Sequence, residues 1–313
     1  MLHYYIMHDL VNNLDQKYKE QFTSFDRLFF SANYIKMMDF YNILSLKENP
    51  YNLREKFETE SKQRELIDFF IKRAKEMNYD QSVILLAYGI IVNKAINEIT
   101  KPYYDSLCGV GTDPRTMKKK QKLERIICYH LRDVFTVKNK EYKKIFETYT
   151  ATESELDTIT AAFTKVFQFS NTKTLLLKCQ ENLKFYYNQN VNFLYFKIRY
   201  YNFLDKRSKS KVGLRGCLRT KLFKKKYDYL NINNRKWLNP YTNLNESLSF
   251  FEIYQKIVDE VNLKADQLNE LIFYTDKKHK KLMDPVKQEI VNKKLVNPIF
   301  KRRTIFKRKK PRK

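Results

Sequence analysis

Apolar residues recur along most of this chain at three-to-four-residue spacing, the pattern of helices that bury one face. Residues 9–18 read as a short helix with Leu10, Val11 and Leu14 on one side. Residues 26–46 form a longer apolar-rich run holding Leu28, Phe29, Phe30, Ile35, Met38, Phe40 and Tyr41, and Pro50 punctuates it. Residues 53–77 predict an amphipathic helix whose stripe ends in Leu66, Ile67, Phe69 and Phe70. The most apolar stretch lies within residues 79–99 and centres on Val83 to Val92. Ten apolar residues are too few to cross a bilayer, so a buried core helix is expected there, ended by Pro102. Gly109 and Gly111 mark a loop. Further helices are predicted over 122–135, from a Thr152/Glu155 capping box onward, over 175–204, where Tyr and Phe line the core face, and over 248–273.

Composition agrees with an all-α chain. Only 5 Gly and 7 Pro occur in 313 residues, which disfavours a turn-rich β fold, and 43% hydrophobic residues suffice for a sizeable core. Charge changes the picture more. The net charge is +26, and residues 206–313 hold 30 Lys/Arg against 10 Asp/Glu. Residues 206–226 carry ten basic residues and no acidic one, and 301–313 carry nine basic residues. Such a field attracts a polyanion, either nucleic acid or an anionic lipid surface. The expected contacts are Lys206, Arg207, Lys209, Lys211, Arg215, Arg219, Lys224, Lys225 and Lys226, with Lys301, Arg302, Arg303, Lys307, Arg308, Lys309 and Lys310. Like charges at this density disfavour packing, so the tail reads as disordered when unbound.

Cys108, Cys128, Cys179 and Cys217 are widely spaced and form no C-x-x-C pair, so they read as free thiols. The N-terminus lacks a basic segment followed by a long apolar one. An intracellular, cytoplasmic location without a signal peptide or transmembrane segment is therefore expected.

The core helix runs on through Tyr88, Gly89, Asn93, Asn97, Lys101, Pro102 and Tyr103. This resembles the signature helix of the zinc-dependent phospholipase C family of bacterial proteins. That helix carries an apolar Tyr-Gly run, then His, Asp and His at four-residue steps, then Pro-Tyr. Residues so spaced share one helical face and can converge on a metal. Other segments resemble the family in order. His3 stands in what looks like its N-terminal entry strand or loop. Lys36 falls where a liganding Asp is expected. Lys120 and Glu124 match a His-x-x-x-Glu pair, with Lys replacing the His. Asn231, Trp237, Asn239, Pro240, Ser249 and Phe250 match a Leu-Asn…Trp-x-Asn-Pro…Ser-Phe block.

The resemblance implies a multi-helix phospholipase C-like bundle over residues 1–276, with a basic loop at 206–226 and a basic tail at 277–313. It also implies that His3, Lys36, Asn93, Asn97, Lys101, Lys120 and Glu124 occupy former metal-ligand positions. A lysine ammonium has no lone pair to give a metal. The expectation is a non-catalytic member with no zinc and no other cofactor, acting as a polyanion-binding scaffold. Glu124 would pair with Lys101 or Lys120, and Asn93 and Asn97 would be hydrogen-bonded core groups. Two other readings stand beside it. One is an active metal-dependent phosphoesterase with altered ligands, drawn from His3, Asp39, Glu58 and Glu98 near Glu124. The other is a structural or assembly protein of a virus or ribonucleoprotein particle.

Overall fold

The computed structural model describes residues 2–14, 25–37, 57, 59–111, 113–134, 151–169, 171–188, 200–201, 203–204 and 228–274. The apolar run at Val83–Val92 lies within α4, the longest helix among the described residues, with α1 Leu2–Asn13, α2 Phe25–Met37 and α3 Glu60–Glu76 before it. After α4 Gln81–Cys108 come α5 Pro114–Val134, α6 Glu153–Phe167, α7 Thr172–Asn188 and α8 Phe250–Asn269. Asp80 starts α4 by accepting a hydrogen bond from the Ser82 amide at 2.7 Å. Every residue from Val83 to Asn93 is buried, because α2 and α3 pack against this helix.

Gly89 explains how α2 comes so close. A Cβ at that position would lie 2.2 Å from the Ser31 carbonyl carbon and 2.6 Å from the Ala32 amide nitrogen. Only a hydrogen side chain fits where the two backbones meet. Beside this crossing, the rings of Phe30, Tyr34, Phe70 and Phe163 form the aromatic core, with centroids 5.9–6.5 Å from Tyr34. Helix α3 contributes Leu66, Phe70, Ile71 and Ala74, and α6 contributes Leu156, Ile159, Ala162, Phe163 and Val166. The Thr152–Glu155 capping box opens α6 as its spacing predicts, with both reciprocal bonds made. Helix α1 packs on α2 and α5, and α7 packs on α6.

The described residues are mainly helical, with one antiparallel pair of two-residue strands. Strand β1 Trp237–Leu238 aligns Trp237 with Glu246 of β2 Asn245–Glu246. The chain divides into two compact units, Met1–Leu268 and Asn269–Lys313. Of the second, only residues 269–274 are described, where Glu270–Tyr274 form a π-helical turn.

Several boundaries differ from the sequence expectation. Pro102 does not end the core helix, which continues to Cys108. Proline removes the amide that would bond the Glu98 carbonyl, yet the next turn is held by tertiary contacts described below. The Thr100 hydroxyl also bonds back to the Ile96 carbonyl at 2.6 Å. Leu2 and His3 begin a helix rather than a strand or loop, and that helix ends at Asn13 instead of residue 18. Helix α5 starts at Pro114, eight residues before residue 122, because Asp113 accepts from the Arg115 and Thr116 amides at 2.9 and 3.0 Å. Helix α4 is long and apolar enough to cross a membrane by length and composition, unlike its ten-residue apolar run, but 78% of the qualifying window is buried inside the fold.

Candidate functional site

The polar stripe of α4 does not stop at Lys101. Asn93, Asn97, Lys101 and Asp105 follow one another at four-residue steps on one face. The upper half of the stripe is a helix-to-helix fastener. The Asn93 amide donates to the Ala32 carbonyl of α2, and the Asn97 amide donates to the Asn93 side-chain oxygen. Asn93 therefore uses its donor and its acceptor internally, next to the Gly89 crossing.

The lower half is an electrostatic cluster. The Asp105 side chain is 1% exposed and pairs with the Lys120 ammonium from α5, itself 17% exposed. Lys120 also donates to the Gly111 carbonyl at 3.0 Å, fastening the α4–α5 loop. The Tyr241 hydroxyl donates to the second Asp105 oxygen. Lys101 lies over the Tyr241 ring, 4.7 Å from its centroid, a cation–π contact. Burial and the bond to Asp105 raise the Tyr241 pKa, and Lys101 opposes that rise. Cys108, one turn after Asp105, has its thiol pKa raised chiefly by burial, with the Lys120 charge opposing. A buried carboxylate needs compensation: at Asp105 one oxygen faces the Lys120 charge and the other accepts the Tyr241 hydrogen bond.

Residues 228–252 deliver Tyr241 to this cluster. Asn231 sits in the left-handed region at φ 48°. Its side chain donates to the Arg235 carbonyl at 2.9 Å and the Leu248 carbonyl at 3.0 Å, and accepts from the Arg235 amide at 2.9 Å. Trp237 donates its ring N–H to the Leu248 carbonyl at 3.2 Å. The buried Asn239 accepts from the Tyr241 amide at 2.9 Å and donates to Glu246 at 2.5 Å, shaping the turn that carries Tyr241. Ser249 and Glu252 make a capping box that starts α8. This module docks on the last turns of α4 through Tyr103. The Tyr103 ring meets Trp237 edge-on at 5.3 Å and Phe250 at 6.3 Å, and its hydroxyl donates to the Tyr229 carbonyl at 2.9 Å. These contacts carry the helix past Pro102.

No family model, curated protein or solved structure matches the chain.

The positions expected from the resemblance thus separate into groups. Asn93 is a buried polar group bonded to α2, and Asn97, bonded to Asn93, is only half-buried. Lys101 and Lys120 are joined through Tyr241 and Asp105. The ammonium of Lys120 is seated on Asp105, a residue the sequence reading did not nominate. Glu124 is half-buried one turn further along α5. His3 lies in α1 and Lys36 in α2, but their side chains are outside the described residues. Of the alternative ligands, Glu98 is exposed beside Lys94 at 3.9 Å, while Asp39 and Glu58 are outside the described residues. Among the described residues, no three His, Cys, Asp or Glu side chains converge to hold a metal. Amides already bonded and ammonium groups do not fit a zinc ion, which takes imidazole nitrogen, thiolate or carboxylate. The basic positions in 206–226 and 301–313 lie outside the described residues.

Asp105 was detectable in principle. It continues the four-residue stripe beyond the proline, but a helix expected to stop at Pro102 hides it. Tyr241 had no local signal, since it lies 136 residues away from its partner.

Proposed function

We propose that this chain is a non-catalytic, phospholipase C-like scaffold that binds a polyanion. The observation carrying the proposal is the Lys120–Asp105 pair. At a position where the resemblance expects a metal-binding His, an ammonium group already neutralises the buried carboxylate. The cation at this carboxylate is supplied by the protein itself, and an ammonium group has no electron pair to give a divalent ion. The Tyr103–Trp237–Phe250 contact also joins two segments that carry the resemblance, the Pro-Tyr end of α4 and the Trp-x-Asn-Pro…Ser-Phe block.

The charge supports the binding role. A net of +26, concentrated in residues 206–313, exceeds what solubility requires. Lys and Arg in those stretches neutralise phosphates and release counterions. The expected result is a linear fall of log affinity for RNA, DNA or anionic vesicles with log salt, together with less than one zinc per purified chain. Two or more tightly held zinc ions per chain, or phospholipid hydrolysis that a chelator abolishes, would overturn the non-catalytic reading. Salt-independent affinity, or none for any of these polyanions, would overturn the binding role.

A further inference from the structure

The Asp105–Lys120 pair does more than fill a space: it holds out an apolar tip. Val110 stands between Gly109 at φ 93° and Gly111 at φ 150°, conformations that L side chains rarely adopt. The Gly109 amide bonds the Asp105 carbonyl at 2.9 Å, and Lys120 bonds the Gly111 carbonyl at 3.0 Å. The loop is pinned on both sides of Val110, whose side chain is 60% exposed. Leu107, one turn beyond Tyr103, is 47% exposed. Across Asp105, Tyr241 is also exposed, beneath Lys101.

Basic residues are dense in the sequence around this tip. Residues 101–122 hold six Lys/Arg against two Asp, and once the Lys120–Asp105 pair is set aside five bases stand against one acid. Arg115, Lys119 and Lys122 are exposed on the first turns of α5 at helical spacing. Exposed aliphatic side chains followed along the chain by a row of exposed cations match one environment above others. A nucleic acid engages the cations, but phosphates gain nothing from Leu107 and Val110. A bilayer with anionic headgroups engages both: the aliphatic tips enter the acyl boundary while lysine and arginine heads stay at the phosphates.

We infer that the α4–α5 corner, with Leu107 and Val110 at its tip and Arg115, Lys119 and Lys122 behind it, docks on an anionic lipid surface. This rests on the scaffold reading and narrows its polyanion to a membrane surface. The test is flotation of the full chain with phosphatidylcholine vesicles containing about one-third phosphatidylserine. RNA binding is measured in parallel. Wild type floats with these vesicles and not with pure phosphatidylcholine. The L107D/V110D and R115E/K119E variants each lower the bound fraction by about tenfold. Leu263→Asp, at a comparably exposed leucine of α8, leaves it unchanged. Val110→Ser alone, which alters only the open loop tip, gives a smaller loss in the same direction and guards against misfolding of the double variants. Wild type and both corner variants floating equally would overturn this inference and leave the scaffold reading standing. Binding to RNA without flotation would do the same, and would point to a nucleic acid partner. Binding to neither would remove both.

Discussion

Asp105 and Lys120 are the residues on which the candidate site turns. Removing one partner of a buried ion pair leaves the other charged and desolvated, at a cost of about 3–5 kcal/mol. Lys120→Met is therefore expected to destabilise by roughly that amount, read as a lower urea midpoint. Adding Asp105→Leu should restore much of the loss, because a paired apolar replacement removes the stranded charge. If the double variant is no more stable than Lys120→Met alone, the pair is not the source of the effect. Gly89 makes a second residue-scale case. Its missing Cβ admits the α2 backbone at Ser31 and Ala32. Gly89→Ala would force backbone against side chain, and overpacking of that kind costs about 1–3 kcal/mol or more. An unchanged melting temperature for Gly89→Ala would mean that α2 does not cross there.

At the scale of elements, α4 and the 228–252 module explain each other. Proline in a helix interior costs about 3 kcal/mol, and α4 nonetheless runs through Pro102 to Cys108. Its last turns are held by Trp237 and Phe250 on Tyr103, and by Tyr241 on Asp105. Pro102→Ala restores an amide for the Glu98 carbonyl, while making the unfolded chain freer. The net expectation is stabilisation by about 1–2 kcal/mol, seen as a higher unfolding temperature. A loss of stability would show that the proline itself shapes the end of α4. Read from sequence, Pro102 looked like a stop, because the contacts that override it come from more than a hundred residues away. The capping box of α6 needed no such help: Thr152 and Glu155 are three residues apart, and their bonds close within one turn.

Over the whole molecule, buried tyrosines set the response to alkali. Burial raises the pKa of Tyr34, Tyr88, Tyr103 and Tyr254 above the ordinary value of 10.0, with nearby carboxylates adding to the rise at the last three. The folded chain keeps these phenols neutral, while the unfolded chain releases their protons once pH exceeds about 10. Unfolding is thus favoured progressively above that pH, and the stabilisation is complete below it. An alkaline titration should show phenolate absorbance from these tyrosines appearing together with the loss of helical circular dichroism. Phenolate signal from all tyrosines while the helices persist would contradict their burial.

Sequence alone determined the helical class, the buried run at Val83–Val92, the α6 cap and the lopsided charge, because each depends on spacing or composition within a short stretch. It also placed Asn93, Asn97 and Lys101 on one face, since a helix repeats every three to four residues. Tertiary structure decided what that face does. Asn93 meets Ala32 and Asp105 meets Tyr241 only after distant segments pack, over 61 and 136 residues. A local pattern can state which atoms share a side of a helix. The partner that neutralises or bonds them is chosen by burial, where an unpaired polar group is costly and only a folded neighbour can supply its match.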